Sequence, residues 1–483
     1  MNDWLEYLIY DPKSPLLFNS GLFLVLFILF STVFLLFRKQ KLLRIIWTVV
    51  FSLFFYYKSS GFYFWILIVS TVIDFILGHA IFKAESKGKK KALLILSLLS
   101  NLGILAYFKY SNFFIDTLNS FGTSIENLDI FLPIGISFYT FQTLSYSIDI
   151  YRGKLNPVDN ILDFAFFVSF FPQLVAGPIV RAADFIPQIR SKLKVSDKDL
   201  GLAVLLIAGG LFKKAVISDY ISINFVDRIF ENPLLYSGFE NLMGVYGYAM
   251  QIYCDFSGYS DMAIGLALLL GLRLPINFDS PYQSASITEF WRRWHISLSS
   301  WLKDYLYISL GGNRKGQIRT YFNLMMTMLL GGLWHGANWK FVFWGAMHGG
   351  MLGIEKLIKS VFNIPKNKLT RVLGVIFTFH FVCFCWIFFR ADSFGTATQV
   401  LSQIGNGFSL DIVKEVFAGY RNILLMLLLG YFLHFTPKKW EELAQKVMTK
   451  MPLLLKAAII ALVAWMAVQI ATGEVVPFIY FQF

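Results

Sequence analysis

Residues 329–345 read LLGGLWHGANWKFVFWG, an apolar stretch with an imidazole, His335, at its centre. Ionisable side chains are costly inside a membrane, so function is the first hypothesis for one found there; a neutral histidine costs far less than a charge. Gly331, Gly332 and Gly336 remove side chains around it. That permits close approach by backbone or substrate, and the same small residues serve tight helix packing in lipid. Trp334 and Trp339 offer flat, rigid walls. Of the other five histidines, His79, His380 and His434 read as packed, hydrogen-bonded side chains. His348, in WGAMHGG, lies one expected helix further on and could approach His335, while His295 falls in the segment treated below.

Three chemistries compete for His335. A metal site is disfavoured, because His335 and His348 lack the i, i+4 pairing of a helical zinc site and have no carboxylate beside them. A Ser–His hydrolase is disfavoured too: no GxSxG elbow occurs, and the serines of DFSGYSDM (255–262) lack that setting. The remaining chemistry is general base catalysis. An imidazole with a pKa of about 6.5 can take a proton from a hydroxyl or thiol as it attacks an acyl carbonyl. A packed structural histidine is the bland alternative.

A second cluster lies in SITEFWRRWHISLSSWLKDYLYISL (286–310). Read as one amphipathic helix, it aligns Trp291, Trp294, Leu298, Trp301 and Tyr305 on an apolar face. Arg292, His295 and Ser299 then share the neighbouring face. Such a helix could be an ordinary interfacial anchor, with Glu289 pairing Arg292 and Arg293. It could instead line a polar entrance where the arginines meet the phosphates of an acyl donor.

The elements that must position these residues are membrane helices. The 483-residue chain is 56% hydrophobic and 15% charged, against about 25% charged in soluble domains. Apolar runs of roughly 20 residues recur, the signature of spanning helices. They fall near 16–37, 45–57, 61–82, 92–108, 131–154, 198–218, 240–270, 320–335, 338–360, 369–389, 420–435 and 453–472. The expectation is an all-α polytopic membrane protein with about 11 spans plus interfacial helices. Pro172, Gly177 and Pro178 break the apolar stretch 161–180, so 161–195 is expected to dip into the membrane or lie along its surface. The net charge of +13 collects in short loops such as RKQKLLR (38–44) and KAESKGKKK (83–91). That is the positive-inside pattern, not a nucleic-acid surface, and it puts the N-terminus outside. Lys213 and Lys214 are expected near a cytoplasmic helix end. The opening MNDWLEYLIYDPKSP lacks a basic n-region, so the first run reads as a retained helix. Cys254, Cys383 and Cys385 show no CxxC spacing. No tandem repeat or long soluble linker appears, and 1–483 reads as one membrane domain.

The motifs together resemble a family. EFWRRWHISLSSWLKDYLYISLGGNRKG, followed by RTYFNLMMTMLLGGLWHGANWKFVFWGAMHG, is similar to the membrane-bound O-acyltransferases, in the branch serving alginate O-acetylation and related to teichoic acid D-alanylation. FFPQLVAGPIVRAADFIPQI (170–189) and YCDFSGYSDMAIGLALLLGLRLPINFDSPY (253–282) also resemble that branch. The likeness covers about 130–350. It implies a ring of tilted helices, with interfacial and re-entrant helices, around a central tunnel. His335 of the LWHG motif would lie in that tunnel as general base. His295 of RWHIS would be the second family histidine, supporting the site. Arg292, Arg293 and Trp334 would contact the donor, for which acetyl-CoA is implied and no metal is needed.

The resemblance further implies a multi-pass protein of the bacterial cytoplasmic membrane, embedded in lipid, that passes acetyl outward for O-acetylation of an exopolysaccharide. An extracytoplasmic SGNH-type acetyltransferase would be its partner and a polysaccharide its acceptor. The aromatic tail VVPFIYFQF (475–483) would lie on the outer side. There Tyr480 could accept the acyl group with His335 as base, or the tail could simply dock at the interface. Two other functions stay open: acylation of a lipid or small hydroxyl compound, and transport with structural histidines. The second is weakened by the lack of repeat symmetry.

Overall fold

The computed structural model describes residues 8–12, 14–175, 177–363, 365, 367–470 and 478–479. Among them the chain is helical and has no strand, as expected of an all-α protein. It divides into two compact units, Met1–Ala203 with Met262–Pro275, and Val204–Asp261 with Ile276–Phe483.

The first unit contains α1 (Gly21–Leu36), α2 (Lys41–Ser60), α3 (Phe64–Lys83), α4 (Lys87–Leu105), α5 (Ser111–Asn119), α6 (Ile136–Tyr151), α7 (Ile161–Ser169), α8 (Phe171–Leu174) and α9 (Ala182–Ile189). Serines start two of them: the hydroxyls of Ser20 and Ser86 accept hydrogen bonds from the backbone N–H of Phe23 and Lys89, satisfying donors that the helix leaves open. Gly135 precedes α6 with φ +77, a conformation only glycine adopts freely, and a Cβ there would lie 2.5 Å from the Leu174 carbonyl oxygen. The expected break in 161–195 is present. It separates α7 from α8 at Phe170, with Pro172 in the first turn of α8 and Pro187 inside α9. A buried carboxylate, Asp74 on α3, is satisfied within the unit: Ser97 Oγ donates to it at 2.8 Å and Asn101 Nδ2 at 2.9 Å, both from α4.

The chain enters the second unit along α10 (Asp197–Leu211), followed by α11 (Asp219–Ile221), α12 (Asp227–Glu231) and the long α13 (Gly238–Leu269). Next come α14 (Ile287–Arg293), α15 (Ile296–Trp301), α16 (Gln317–His335), α17 (Trp339–Val361) and α18 (Lys368–Arg390). The hairpin of α16 and α17 rests on glycines. A Cβ on Gly332 would sit 2.2 Å from the Phe341 carbonyl oxygen, and one on Gly345 would sit 2.3 Å from that of Met328. Backbone therefore meets backbone, as small residues allow in membrane helices.

Among the described residues four helical segments are long and apolar enough to cross a membrane: Lys41–Lys83, Lys87–Asn119, Asp197–Glu231 and Lys368–Arg390. The pair Val413–Gly419 and Arg421–His434, bent by 88°, adds a fifth if it is one span. Other expected spans, including α13, α16 and α17, are continuous helices whose polar content keeps length and hydropathy from marking them. One expectation needs correction. Residues 286–310 are not one helix; α14 and α15 are separated at Trp294 and His295. Lys213 and Lys214, on the segment after α10, are ion-paired: Lys213 pairs with Asp261, and Lys214 is buried between Asp219 and Asp255.

Candidate active site

The break between α14 and α15 is held by a residue that sequence reasoning missed. His295 adopts φ +43, in the left-handed region that non-glycine residues rarely enter. Asn277 secures it. Its carbonyl oxygen accepts the Ile296 N–H at 2.9 Å. Its side-chain Oδ1 accepts the Ser297 N–H at 3.2 Å and the Ser297 hydroxyl at 2.8 Å. The same Oδ1 lies 3.2 Å from His295 Nδ1. Because the Ser297 N–H can only donate, Oδ1 must be the acceptor, so His295 carries its hydrogen on Nδ1 and its lone pair on Nε2. Asn277 sits within LRLPINFDSPY, but no spacing rule ties it to RWHIS.

The turn delivers His295 to His335. Their ring centroids are 6.5 Å apart. His335 is the last residue of α16, and Trp334 and Trp344 each meet its ring at 5.1 Å and Phe389 at 5.5 Å. Gly336 follows in extended conformation, and a Cβ there would strike the Phe341 ring at 2.0 Å. Gly332 and Gly336 thus serve close packing, whereas Gly331 faces the cavity beside the histidine.

That cavity measures about 440 Å³ and lies wholly within the second unit. His335, Trp291 and Trp344 line it, together with the hydroxyls of Ser299, Thr327 and Tyr307 and the cations of Arg292 and Lys303. Lys303 is a second residue the sequence reading passed over; its only signal was a basic side chain inside the tryptophan-rich stretch. Arg293 is outside the lining. It pairs with Glu289 at 3.0 Å and donates to the Asp279 carbonyl oxygen at 3.1 Å. Trp334 is also outside it and packs against both histidines, 6.0 Å from His295. Tyr480 lies outside the described residues.

The two imidazoles are not equivalent. His295 is fully buried, and burial pushes its pKa down to about 3, because a low dielectric disfavours the cation. It is a neutral group held by Asn277. His335 is the one that opens on the cavity. His348 accepts from Trp291 Nε1 at 3.3 Å, and Trp344 packs against both it and His335. The three histidines read as packed side chains are hydrogen-bonded: His79 to Phe75, His380 to Ile376 and Tyr246, and His434 to the Tyr282 N–H. Among the described residues no three His, Cys, Asp or Glu side chains form a group able to hold a metal ion.

This arrangement has relatives. The chain matches the model of MBOAT, the membrane-bound O-acyltransferase family, over residues 53–395. It is 38% identical over 428 residues to the peptidoglycan O-acetyltransferase of Helicobacter pylori, covering 82% of this chain and 81% of that protein. The probable alginate O-acetylase AlgI of Azotobacter vinelandii is 42% identical over 397 residues, 80% of this chain and 78% of that protein. The teichoic acid D-alanyltransferase of Bacillus subtilis is 32% identical over 290 residues, 56% of this chain and 71% of that protein. The resemblance carried by the tryptophan-rich motifs therefore holds, and the enzyme is a multi-pass membrane acyltransferase. With His335 at a cavity inside helical packing, His295 beside it, and these similarities along most of its length, the chain belongs to the membrane-bound O-acyltransferase family.

Proposed function

We propose that this acyltransferase takes acetyl from acetyl-CoA at the cytoplasmic face of a bacterial inner membrane and makes it available outside for O-acetylation of a polysaccharide. The observation that carries the reading is His335, lining a cavity that also presents the cations of Arg292 and Lys303. The imidazole suits a base, and the cations suit the phosphates of a coenzyme A donor. The relatives named for peptidoglycan and alginate acetylation support a glycan acceptor and do not choose between the two. An extracytoplasmic SGNH-type transferase would complete delivery, and bilayer lipid would surround the helices.

In this mechanism His335 removes the proton of the attacking hydroxyl. The oxygen adds to the thioester carbonyl, the carbon–sulfur bond breaks, and the coenzyme A thiolate takes the proton back from the imidazolium. Tyr480 is the hydroxyl proposed to receive acetyl first. A phenol with a pKa of about 10 needs such a base. His295, neutral and fixed by Asn277, orients and polarises the site beside it.

The test is purified protein with labelled acetyl-CoA, alongside polysaccharide acetylation in cells. Wild type should release coenzyme A and label either the protein or the glycan. His335→Ala should cut transfer about 100- to 10,000-fold at an unchanged level in the membrane. Unchanged glycan acetylation in that variant would sink the assignment.

A further inference from the structure

The DFSGYSDM stretch on α13 takes no part in lining the cavity, yet its first residue stands in an unusual place. Asp255 is buried. Its Oδ1 lies 2.6 Å from Lys214 Nζ, and that ammonium lies 2.8 Å from Asp219 Oδ1. One buried cation thus faces two carboxylates. Buried charge is tolerated only where further hydrogen bonds satisfy it. For Asp255 one such bond comes from the far end of the chain: the backbone N–H of Ile479 donates to its Oδ2 at 2.9 Å. The neighbouring Phe478 is fully buried, its ring 5.4 Å from Phe256 and 5.2 Å from Tyr259. Phe256 in turn meets the His295 ring edge to face at 4.6 Å.

We propose that Asp255, held by Lys214, is the docking point for Phe478 and Ile479 and thereby a positioning residue for acyl transfer. The carboxylate grips the backbone of Ile479, and Phe256 and Tyr259 form the seat for Phe478. Phe478 is set one aromatic ring away from His295. The dock itself stands on geometry alone; its consequence for transfer rests on the function proposed above. Backbone capture by a charged acceptor is stronger than by a neutral one, and the buried Lys214 stands directly against that acceptor.

Hydrogen–deuterium exchange on the full-length protein in detergent, read on the peptide carrying Ile479, tests the dock directly. Asp255→Ala leaves Lys214 one-to-one with Asp219 and removes the acceptor. The Ile479 amide should then exchange at least about tenfold faster. Asp255→Asn keeps an acceptor oxygen and should fall between the two. Phe478→Ala, which leaves the charge cluster untouched, should also speed exchange at Ile479. If that amide exchanges at the wild-type rate in both Asp255→Ala and Phe478→Ala, there is no dock. If exchange rises equally along the rest of α13, the residue is merely structural and the proposal fails. Cellular acetylation is measured on the same variants at matched membrane levels. A loss in Asp255→Ala with partial recovery in Asp255→Asn supports positioning, while faster exchange with full acetylation overturns it. His335→Ala separates the two ideas. Retained acetylation there defeats the proposed function and leaves the exchange result standing.

Discussion

The His295 and His335 rings lie 6.5 Å apart, centroid to centroid, although one sits at a left-handed turn and the other at the end of a helix. The pair depends on a third residue, Asn277, whose backbone and side chain together hold the turn. The imidazole without direct cavity access is thereby locked, and the imidazole with access is the one proposed above to transfer the proton.

Asn277→Ala should therefore lower acetylation about 10- to 100-fold, the range set by losing hydrogen bonds to a buried polar group. Asn277→Asp retains an acceptor oxygen and should keep more activity. Polysaccharide acetyl content in cells, normalised to the protein in the membrane, reads both. Equal activity in Asn277→Ala and wild type would remove the tautomer argument.

Arg292→Gln and Lys303→Gln should each raise the KM for acetyl-CoA about tenfold with a smaller change in kcat. The wild-type KM should also rise with salt more than that of either variant. Steady-state kinetics on purified protein measures this. Identical KM values and salt slopes would mean that neither cation meets the donor.

The glycines of the α16–α17 hairpin predict opposite signs for similar substitutions. Gly332→Ala forces a methyl to within 2.2 Å of the Phe341 carbonyl oxygen and should cost about 1–3 kcal/mol. Nothing lies within 4 Å of a Cβ at Gly350, so Gly350→Ala should stabilise by up to about 1 kcal/mol through helix propensity. Thermal unfolding in detergent compares them, and a matching decrease in both would contradict the packing account.

Tyr480→Phe removes only a hydroxyl. If that phenol carries acetyl, polysaccharide acetylation should drop to the background of a strain lacking the protein, and mass spectrometry of the terminal peptide from trapped wild type should show an added acetyl. Full acetylation in Tyr480→Phe would take the residue out of the route.

Much of the fold was legible because apolar runs are long and their interruptions are chemically plain. Pro172 stands in the first turn of α8, just past the break at Phe170, the place in a helix where a missing N–H costs least. His335 was legible as a titratable group in an apolar run. The stretch 286–310 misled for the opposite reason. Its helical spacing is real within α14 and within α15, but a periodic pattern carries no mark for a break imposed from outside by Asn277. The same blindness hid Lys303 and the carboxylate partners of Lys213 and Lys214. Their partners Asp261 and Asp255 lie on another helix.

The sequence by itself determined that this is a helical membrane protein, that His335 is a titratable group in an apolar run, and which family its tryptophan-rich motifs resemble. Local spacing reports neighbours three or four residues away and the cost of placing each side chain in lipid, so it suffices for those statements. Only the tertiary structure decided that His295 turns to meet His335, that Gly332 and Gly345 let two backbones touch, and that Asp255 holds Ile479. Those contacts join residues distant along the chain. They follow from close packing and from the need of every buried polar group for a partner, and the partner is chosen by the fold.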